Sequence, residues 1–396
     1  ATASAQSAIA LGAGSNAAGN FSQAVGVSAT AAGNYSTASG YQATASGIAS
    51  QASGSQANAA GNYSQASGRL AKASGENSLA MGTLANAIGN FSTASGYKAN
   101  AIGNFSTAIG FFATTSGIAS QASGFKATAA GNYSTASGYQ ANAFGLNSQA
   151  SGTNATAAGN SSIATGTNAT AAGNYSTASG YQANASAYGS TASGYEAIAS
   201  ADYSQSSGYK AIASGVESIA IGSSANASGN DAQASGTYAT ASGDYSTASG
   251  TNAKAAGRFS QASGYSATAS GIGSQASGYQ ANAAGDYSQA LGYKAKASFA
   301  NSTAIGIGAK TTRANQIKLG RSNTEVTISN LAKKGSKSQV YVKSDGTLIR
   351  STSISYGLGA SAHGESATAN GTGALAAGNS ASAQGANTTA IGSGAI

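Results

Sequence analysis

The chain has 396 residues, a net charge of +8 and only 7% charged residues, and it contains 56 Gly but no Pro, Cys or Trp. The lack of Cys excludes disulfides and cysteine-ligated metal sites, and a single His with so few charges disfavours an enzyme. No apolar run is long enough to span a bilayer as a helix, and no signal-peptide pattern stands at the start.

A seven-residue repeat runs through residues 12–306. Steps of seven from Gly12 to Gly306 give 43 positions, of which 40 are Gly; the exceptions are Ala187, Ala201 and Phe299. From Ser22 to Ser302, the residue four places before these positions alternates between Ser and Ala, with one lapse at Ala232. The true repeat is therefore a pair of such units, as in NYSTASG (34–40) followed by YQATASG (41–47). We call these the first and second half-turns and number their positions one to seven. Such an unbroken register favours a folded, stacked array over a disordered linker.

The pattern within each half-turn favours strands. A coiled coil needs large apolar residues at its core positions, whereas the invariant residues here are Gly and Ala. Small residues at positions three, five and seven have the period of two that is typical of a strand, and Gly with the polar or aromatic residue after it predicts a tight corner with positive φ. We therefore predict an all-β parallel β-roll (solenoid) of roughly 22 turns, stacked about 4.8 Å apart.

The two half-turns differ in charge. In the second half-turn, positions two and four carry most of the Lys residues, which predicts a solvated face. In the first half-turn, position four is never charged between residues 23 and 303, and we expect this face to pack against identical chains in a closed assembly. The predicted interface comprises Gln23, Thr37, Gln51, Gln65, Leu79, Thr93, Gln121, Thr135, Gln149, Ile163, Thr177, Ile219, Gln261, Gln275 and Gln289.

Several half-turns carry a family likeness: SAIALG (7–12), NSLAMG (77–82), ESIAIG (217–222), NSTAIG (301–306) and NTTAIG (387–392). These resemble the head repeat of YadA-like trimeric autotransporter adhesins, and the resemblance covers residues 1–306 and 357–396. It implies a left-handed parallel β-roll with 14-residue turns, a homotrimer of identical chains, a bacterial cell-surface location and a role in attachment. Most copies here depart from the family by having Ser or Ala at position six. The outer-membrane anchor of the full protein would lie in parts outside this chain.

Residues 307–356 break the repeat. This segment holds nine Lys and Arg against two acidic residues, and it includes VTISNL (326–331) and QVYVKSDGTLIR (339–350), in which SDG predicts a hairpin turn. The Gly period then resumes from Gly364 to Gly392. We therefore predict a long head at 1–306, a basic β-rich connector at 307–356 and the start of a second head segment at 357–396. The connector is expected to be a solvated cap; binding of a sulphated glycan or an anionic surface is the alternative, and nucleic acid is the least favoured partner.

Aromatic residues suggest a ligand surface. Tyr recurs at position one of the second half-turn, often beside Lys, and a second Tyr row occupies the first half-turn. Exposed Tyr with Lys predicts an adhesive surface, while the alternative is that the rings only stack and shield the thin corners. The candidate ligand-contact residues are Tyr41, Tyr97, Lys98, Lys126, Tyr139, Tyr181, Tyr195, Tyr209, Lys210, Tyr265, Tyr279, Tyr293 and Lys294.

No pattern of catalytic or cofactor-binding residues is present. His363 is isolated, the acidic residues Asp202, Asp244 and Asp286 lie at intervals of three turns, and neither calcium-binding nor phosphate-binding motifs occur. We predict a non-enzymatic adhesin head without cofactors, attaching to host extracellular matrix, cells or abiotic surfaces through many weak contacts, with autoagglutination as a further possibility. A passive spacer is the main alternative. An ice-binding solenoid is less favoured because the exposed position four of the second half-turn mixes Thr, Asn and Lys.

Overall fold

The fold is described from a computed structural model, which covers residues 1–324, 340–342, 348–350, 354–356, 360–364 and 366–396. The chain divides into two compact units, Ala1–Arg321 and Ser322–Ile396. All regular structure in the described residues is β-strand, and no helix there is long and apolar enough to cross a membrane.

The first unit consists of two ladders of very short strands. The long strands have three residues and recur once per turn from Ile9–Leu11 to Ile317–Leu319; the short strands have two and recur with the same period from Thr2–Ala3 to Lys296–Ala297. Long strands occupy positions four to six of the first half-turn, and short strands occupy positions four and five of the second. Each strand pairs in parallel with the strands one turn before and after it, as in Gln65↔Leu79. The predicted all-β parallel solenoid is thus confirmed.

The interior of this unit contains only small side chains. Ala38, Ala43 and Ala45 are completely buried, as is Ser36, and equivalent residues fill every turn. The largest fully buried side chains are Thr115 and Thr311. A buried methyl group contributes only about 0.8 kcal/mol, so apolar burial per turn is small. The ladders of backbone hydrogen bonds must therefore account for much of the order within a single chain.

The corners contain positive φ at two kinds of position. Position two of most half-turns is a non-Gly residue in the left-handed region, such as Tyr35 with φ 60° and Gln42 with φ 53°. Gly40, at the end of a first half-turn, does have positive φ at 137°, but Gly47, at the end of a second half-turn, does not. A Cβ on Gly47 would overlap the carbonyl oxygen of Gly61 in the next turn. A Cβ on Gly40 would likewise overlap the carbonyl oxygen of Gly54. Close approach of the chain therefore favours glycine in both half-turns, and positive φ is a second requirement in the first half-turn alone.

This difference explains where the Gly pattern fails. The three exceptions, Ala187, Ala201 and Phe299, all stand at the end of a second half-turn. Every Gly from 12 to 306 at the end of a first half-turn has a φ between 108° and 137°. An L-residue rarely adopts that conformation, so a non-Gly residue at the end of a first half-turn would meet backbone strain in addition to the steric overlap.

The ladder of long strands continues past Gly306 by one strand, Ile317–Leu319, which pairs with Thr303–Ile305. Lys318 there faces Ala304 in register and takes the inward position that Ala or Ser occupies in the preceding turns. An ammonium group is costly to bury without a partner, so this core ends at Lys318. The predicted divisions at residues 306 and 356 remain predictions.

The second unit contains one antiparallel pair and two parallel sheets. Val340–Val342 pairs with Leu348–Arg350, in the segment whose alternation predicts a hairpin; the turn residues and VTISNL (326–331) lie outside the described residues. One parallel sheet contains Ile354–Tyr356, Thr368–Asn370 and Ser382–Gln384, and the other contains Ser361–His363, Leu375–Ala377 and Thr389–Ile391. Partners in both sheets have the same sequence separation as in the first unit.

Candidate binding surfaces

Basic and acidic residues occupy different half-turns of the repeat. Within residues 1–306, every Lys and Arg except Arg258 belongs to the second half-turn. Every Asp and Glu except Glu196 lies at position one or two of the first half-turn. Residues 1–306 therefore have a basic edge and an acidic edge, with uncharged long strands between them.

The acidic edge has a structural role that sequence reasoning missed. Asn or Asp at position one accepts a hydrogen bond from the backbone of the equivalent residue one turn earlier, as in Ile118 N to Asn132 Oδ1 at 2.9 Å. Asp202 accepts the same bond from Tyr188 N at 3.1 Å. Asp244 and Asp286 do likewise. These carboxylates look isolated in the sequence, but they replace Asn in a row of side chains that each accept a hydrogen bond from the backbone of the preceding turn. The recurrence of Asn or Asp at position one could have predicted this role from the sequence.

The aromatic row of the second half-turn forms stacks. The Tyr residues of the predicted ligand surface are 37% to 53% exposed, and most have ring neighbours one turn away with centroids 4.8 to 5.4 Å apart. The stacked runs are Tyr97–Phe111–Phe125–Tyr139, Tyr181–Tyr195–Tyr209 and Tyr265–Tyr279–Tyr293. Tyr41 lies at the same position, between Val27 and Ser55. Phe111 and Phe125 belong to this row but were not among the residues predicted from the sequence, because that prediction considered only Tyr and Lys. Since stacking covers the ring faces, each run presents mainly ring edges and hydroxyl groups outward.

Each run also carries Lys at position two of the corner. Lys126, Lys210 and Lys294 place their ammonium groups 5.1 to 5.3 Å from the centroid of the ring beside them, and Lys98 lies 5.0 Å from Phe112. Such cation–π contacts contribute about 0.5–1 kcal/mol at exposed sites. Lys126, Lys210 and Lys294 recur at equal intervals of six turns. At about 4.8 Å per turn, equivalent patches lie roughly 29 Å apart.

A groove of ≈360 Å³ accompanies the middle run; it is lined by Gln182, Asn184, Glu196, Ile198, Lys210 and Ile212. Glu196 and Lys210 pair across it at 3.4 Å. A hydrogen bond with Tyr209, followed by the charge of Glu196, raises the pKa of Lys210. A hydrogen bond to Glu196 and its charge likewise raise the pKa of Tyr195. An exposed ion pair of this kind contributes little stability.

The face predicted to meet sister chains is formed by the long strands. All fifteen predicted interface residues stand at the first position of a long strand, and each is exposed or half-buried in the single chain. They stack in register along the ladder; Gln275 Nε2, for example, donates to Gln261 Oε1 at 3.5 Å. The same face exposes large aliphatic side chains at position six, among them Ile109, Ile221 and Leu319. Apolar exposure next to uncharged polar ladders is typical of a surface that another chain covers.

The second Tyr row, at position two of the first half-turn, is more exposed. Tyr35 and Tyr287 are 61% and 65% exposed. Tyr287 lies over Gly273, where an added Cβ would come within 3.0 Å of the ring, and Tyr203 covers Gly189 in the same way. Small residues one turn earlier thus make room for these rings.

The described residues assemble no metal site, since no three His, Cys, Asp or Glu side chains group closely enough to hold an ion. His363 Nε2 lies 2.6 Å from Ser361 Oγ on the same strand.

Sequence comparison identifies the family. The YadA head domain repeat matches overlapping stretches that together cover residues 24–43, 59–113, 116–239, 241–260, 262–309 and 369–395. The chain belongs to the YadA head repeat family. No curated protein sequence matched it. Among solved structures, it is similar to the crystal structure of the collagen-binding domain of Yersinia adhesin YadA, with 28% identity over 40% of this chain and 79% of that one. The TM-score of 0.28 is too low for that structure to support an argument about this fold. The resemblance inferred from the repeats is confirmed by the family match.

Proposed function

We propose that this YadA-like chain is the head of a homotrimeric bacterial surface adhesin, displayed outside the cell and anchored through parts of the full protein elsewhere. Its function is attachment to extracellular matrix, host cells or abiotic surfaces. Family membership supports the adhesin role, and the observation that carries the mode of attachment is the stacked Tyr and Lys patch repeated every six turns.

Repetition allows weak contacts to give firm attachment. Three patches on each chain become nine on a trimer, all facing outward if the long strands face the trimer axis. When one contact forms, its neighbours bind at an effective concentration in the millimolar range, so avidity exceeds the single affinity by about 10² to 10⁴. No deep pocket or strong single site is required.

The trimer is supported by the long-strand face. Its uncharged ladders, its exposed aliphatic residues and the small core of the single chain are all accounted for if three chains pack around a common axis. The left-handed winding of each chain remains an implication of the family resemblance.

Collagen is the first ligand to test, because the similar Yersinia domain is described as collagen-binding. Fibronectin, laminin and plastic complete the panel. One variant replaces the central ring of each run: Phe111→Ala, Tyr195→Ala and Tyr279→Ala together. The matched control removes three rings from the other row: Tyr63→Ala, Tyr133→Ala and Tyr203→Ala. Circular dichroism and light scattering check that both variants remain folded and assembled.

We expect only the first variant to lose binding. A spacer that holds a binding tip away from the cell is the second candidate, and it is favoured by the stacking itself, which already provides the rings with partners. Unchanged binding of both variants, or no binding by the native chain, would support the spacer and contradict an adhesive role for the second-half-turn rings.

A further inference from the structure

The last turns of the first unit bring together cations of like sign. Lys296 and Lys310 form a parallel bridge in direct register on the short-strand side, and both are exposed. They occupy position four of consecutive second half-turns. At this position Lys72 has Asn58 and Asn86 as neighbours, and Lys254 has Thr240 and Thr268.

Two further cations lie beside this pair. Lys294 occupies position two of the same half-turn as Lys296, in the left-handed conformation, with its ammonium group 5.1 Å from the centroid of Tyr293. Gly308 takes the equivalent position one turn later, and the guanidinium of Arg321 lies against its α-carbon, in the space that a side chain would fill. Lys294, Lys296, Lys310 and Arg321 are therefore grouped within about three turns, or roughly 10–15 Å.

Few acidic residues lie on the edge that carries the three Lys residues of this group. Glu196 is the sole acidic residue in the second half-turns of residues 1–306, and it lies seven turns before Lys294. The acidic residue that most closely precedes the group, Asp286, is at the opposite corner, where its Oδ1 accepts a hydrogen bond from Ile272 N at 2.9 Å. Glu325, four residues after Arg321, lies outside the described residues. Like charges in register destabilise a sheet. Neighbouring Lys residues here do not serve the fold, which favours a binding role.

We propose that Lys294, Lys296, Lys310 and Arg321 form a binding site for a linear sulphated polysaccharide. Ammonium and guanidinium groups in a row match sulphate groups along such a chain, and Arg offers paired donors to a tetrahedral oxyanion. This site shares Lys294 with the last aromatic patch. It goes beyond attachment through the aromatic patches because Lys296, Lys310 and Arg321 belong to none of them.

The neighbouring rings disfavour nucleic acid as the ligand. Single strands are bound through bases that stack on open aromatic faces. Here Tyr265, Tyr279 and Tyr293 stack on one another with centroids 5.1 Å apart, and Lys294 lies over Tyr293. Their faces are covered, so the site offers charge without a stacking platform.

The test uses the full chain and immobilised heparin as the sulphated probe. The site variant is Lys296→Gln with Lys310→Gln. The matched control is Lys72→Gln with Lys254→Gln, which removes the same charge from the same exposed position of the same sheet. Removing two contacts from the site should weaken heparin binding by on the order of tenfold or more and make it less sensitive to salt. The control should change binding less than twofold.

Several results would overturn this assignment. Equal losses in the two variants would show that only overall charge matters, and absence of heparin binding by the native chain would refute the site. Equally tight binding of desulphated heparin, of DNA or of anionic phosphatidylserine vesicles at the same salt concentration would assign a different ligand. Thermal unfolding, monitored by circular dichroism, should show that the site variant is at least as stable as the native chain, because it lacks the repulsion between Lys296 and Lys310. Loss of heparin binding with intact collagen binding would separate this site from the aromatic patches.

Discussion

Gln121→Lys tests the assignment of the long-strand face most directly. Gln121 opens the long strand Gln121–Ser123, lies in register with Thr107 and Thr135, and is exposed in the single chain. If the molecule functions as a single chain, this substitution places a Lys on an exposed strand. Such surface changes usually alter the free energy of unfolding by less than about 0.5 kcal/mol.

A trimer built on this face gives a very different magnitude. Three ammonium groups would then meet near the axis. At a separation of about 8 Å and an effective dielectric constant of about 20, each pair repels by about 2 kcal/mol, or about 6 kcal/mol for three pairs. Desolvation adds several kcal/mol for each ion. The total is comparable to the whole stability of many proteins, so we expect the trimer to dissociate.

The matched control is Thr128→Lys, which adds the same charge one half-turn later, at position four of the second half-turn, where the short strand Thr128–Ala129 begins. Lys already occupies this position at residues 72, 254 and 296. Light scattering and sedimentation give the mass, and circular dichroism gives the melting temperature. We expect a native-like trimer for Thr128→Lys and a dissociated chain for Gln121→Lys. A native-like trimer of Gln121→Lys would refute the reasoning, and if Lys126→Gln destabilised the assembly instead, the two faces would be reversed.

Three further predictions concern the single chain. Gly138→Ala should lower the stability of its region by about 1–3 kcal/mol more than Gly131→Ala, because only Gly138 has positive φ, at 131°; hydrogen exchange would show the difference, and equal protection would contradict it. Asn132→Ala should cost about 1 kcal/mol by leaving Ile118 N without its acceptor, whereas Asn132→Asp should cost less because Asp202 accepts the same bond; thermal melting compares the two. The pKa values of Lys210 and Tyr195 are both raised, so these groups hold their protons more tightly in the folded chain. Their contribution to the free energy of unfolding is present below their ordinary pKa values near 10 and is lost as the pH rises through the folded values. The melting temperature should therefore fall above about pH 10, and Glu196→Gln should reduce that fall; an unchanged pH profile in this variant would contradict the cause.

The corner geometry shows where prediction from sequence ended. Position two holds Tyr35, Gln42, Lys98 and many other residue types, and the φ of these non-Gly residues is between 52° and 60°. These side chains share no chemical property that would predict positive φ from the sequence. The stacked backbone imposes it, since each of these N–H groups bonds to a carbonyl of the preceding turn, as Tyr35 N does to Asn20 O at 2.8 Å. The two roles of Gly were equally hidden, because a residue needed for φ and one needed for space look alike in the sequence.

The candidate sites were partly predictable for the same reason. The sequence located the Tyr row and its Lys residues, because residues one period apart must stack once the period is known. The caps by Asp202 and its equivalents, and the place of Arg321 against Gly308, depend on contacts between turns that no local pattern describes.

By itself, the sequence determined the strand direction, the length of each turn, the small core and the separation of charged from uncharged faces. It could do so because a strict period places the same pattern of strand and corner residues in every turn. The tertiary structure decided which backbone groups approach closely, which Asn and Asp side chains cap the neighbouring turn, and where the guanidinium of Arg321 lies. Those features arise between neighbouring turns, and they depend on the register and distance of backbones that only the folded chain brings together.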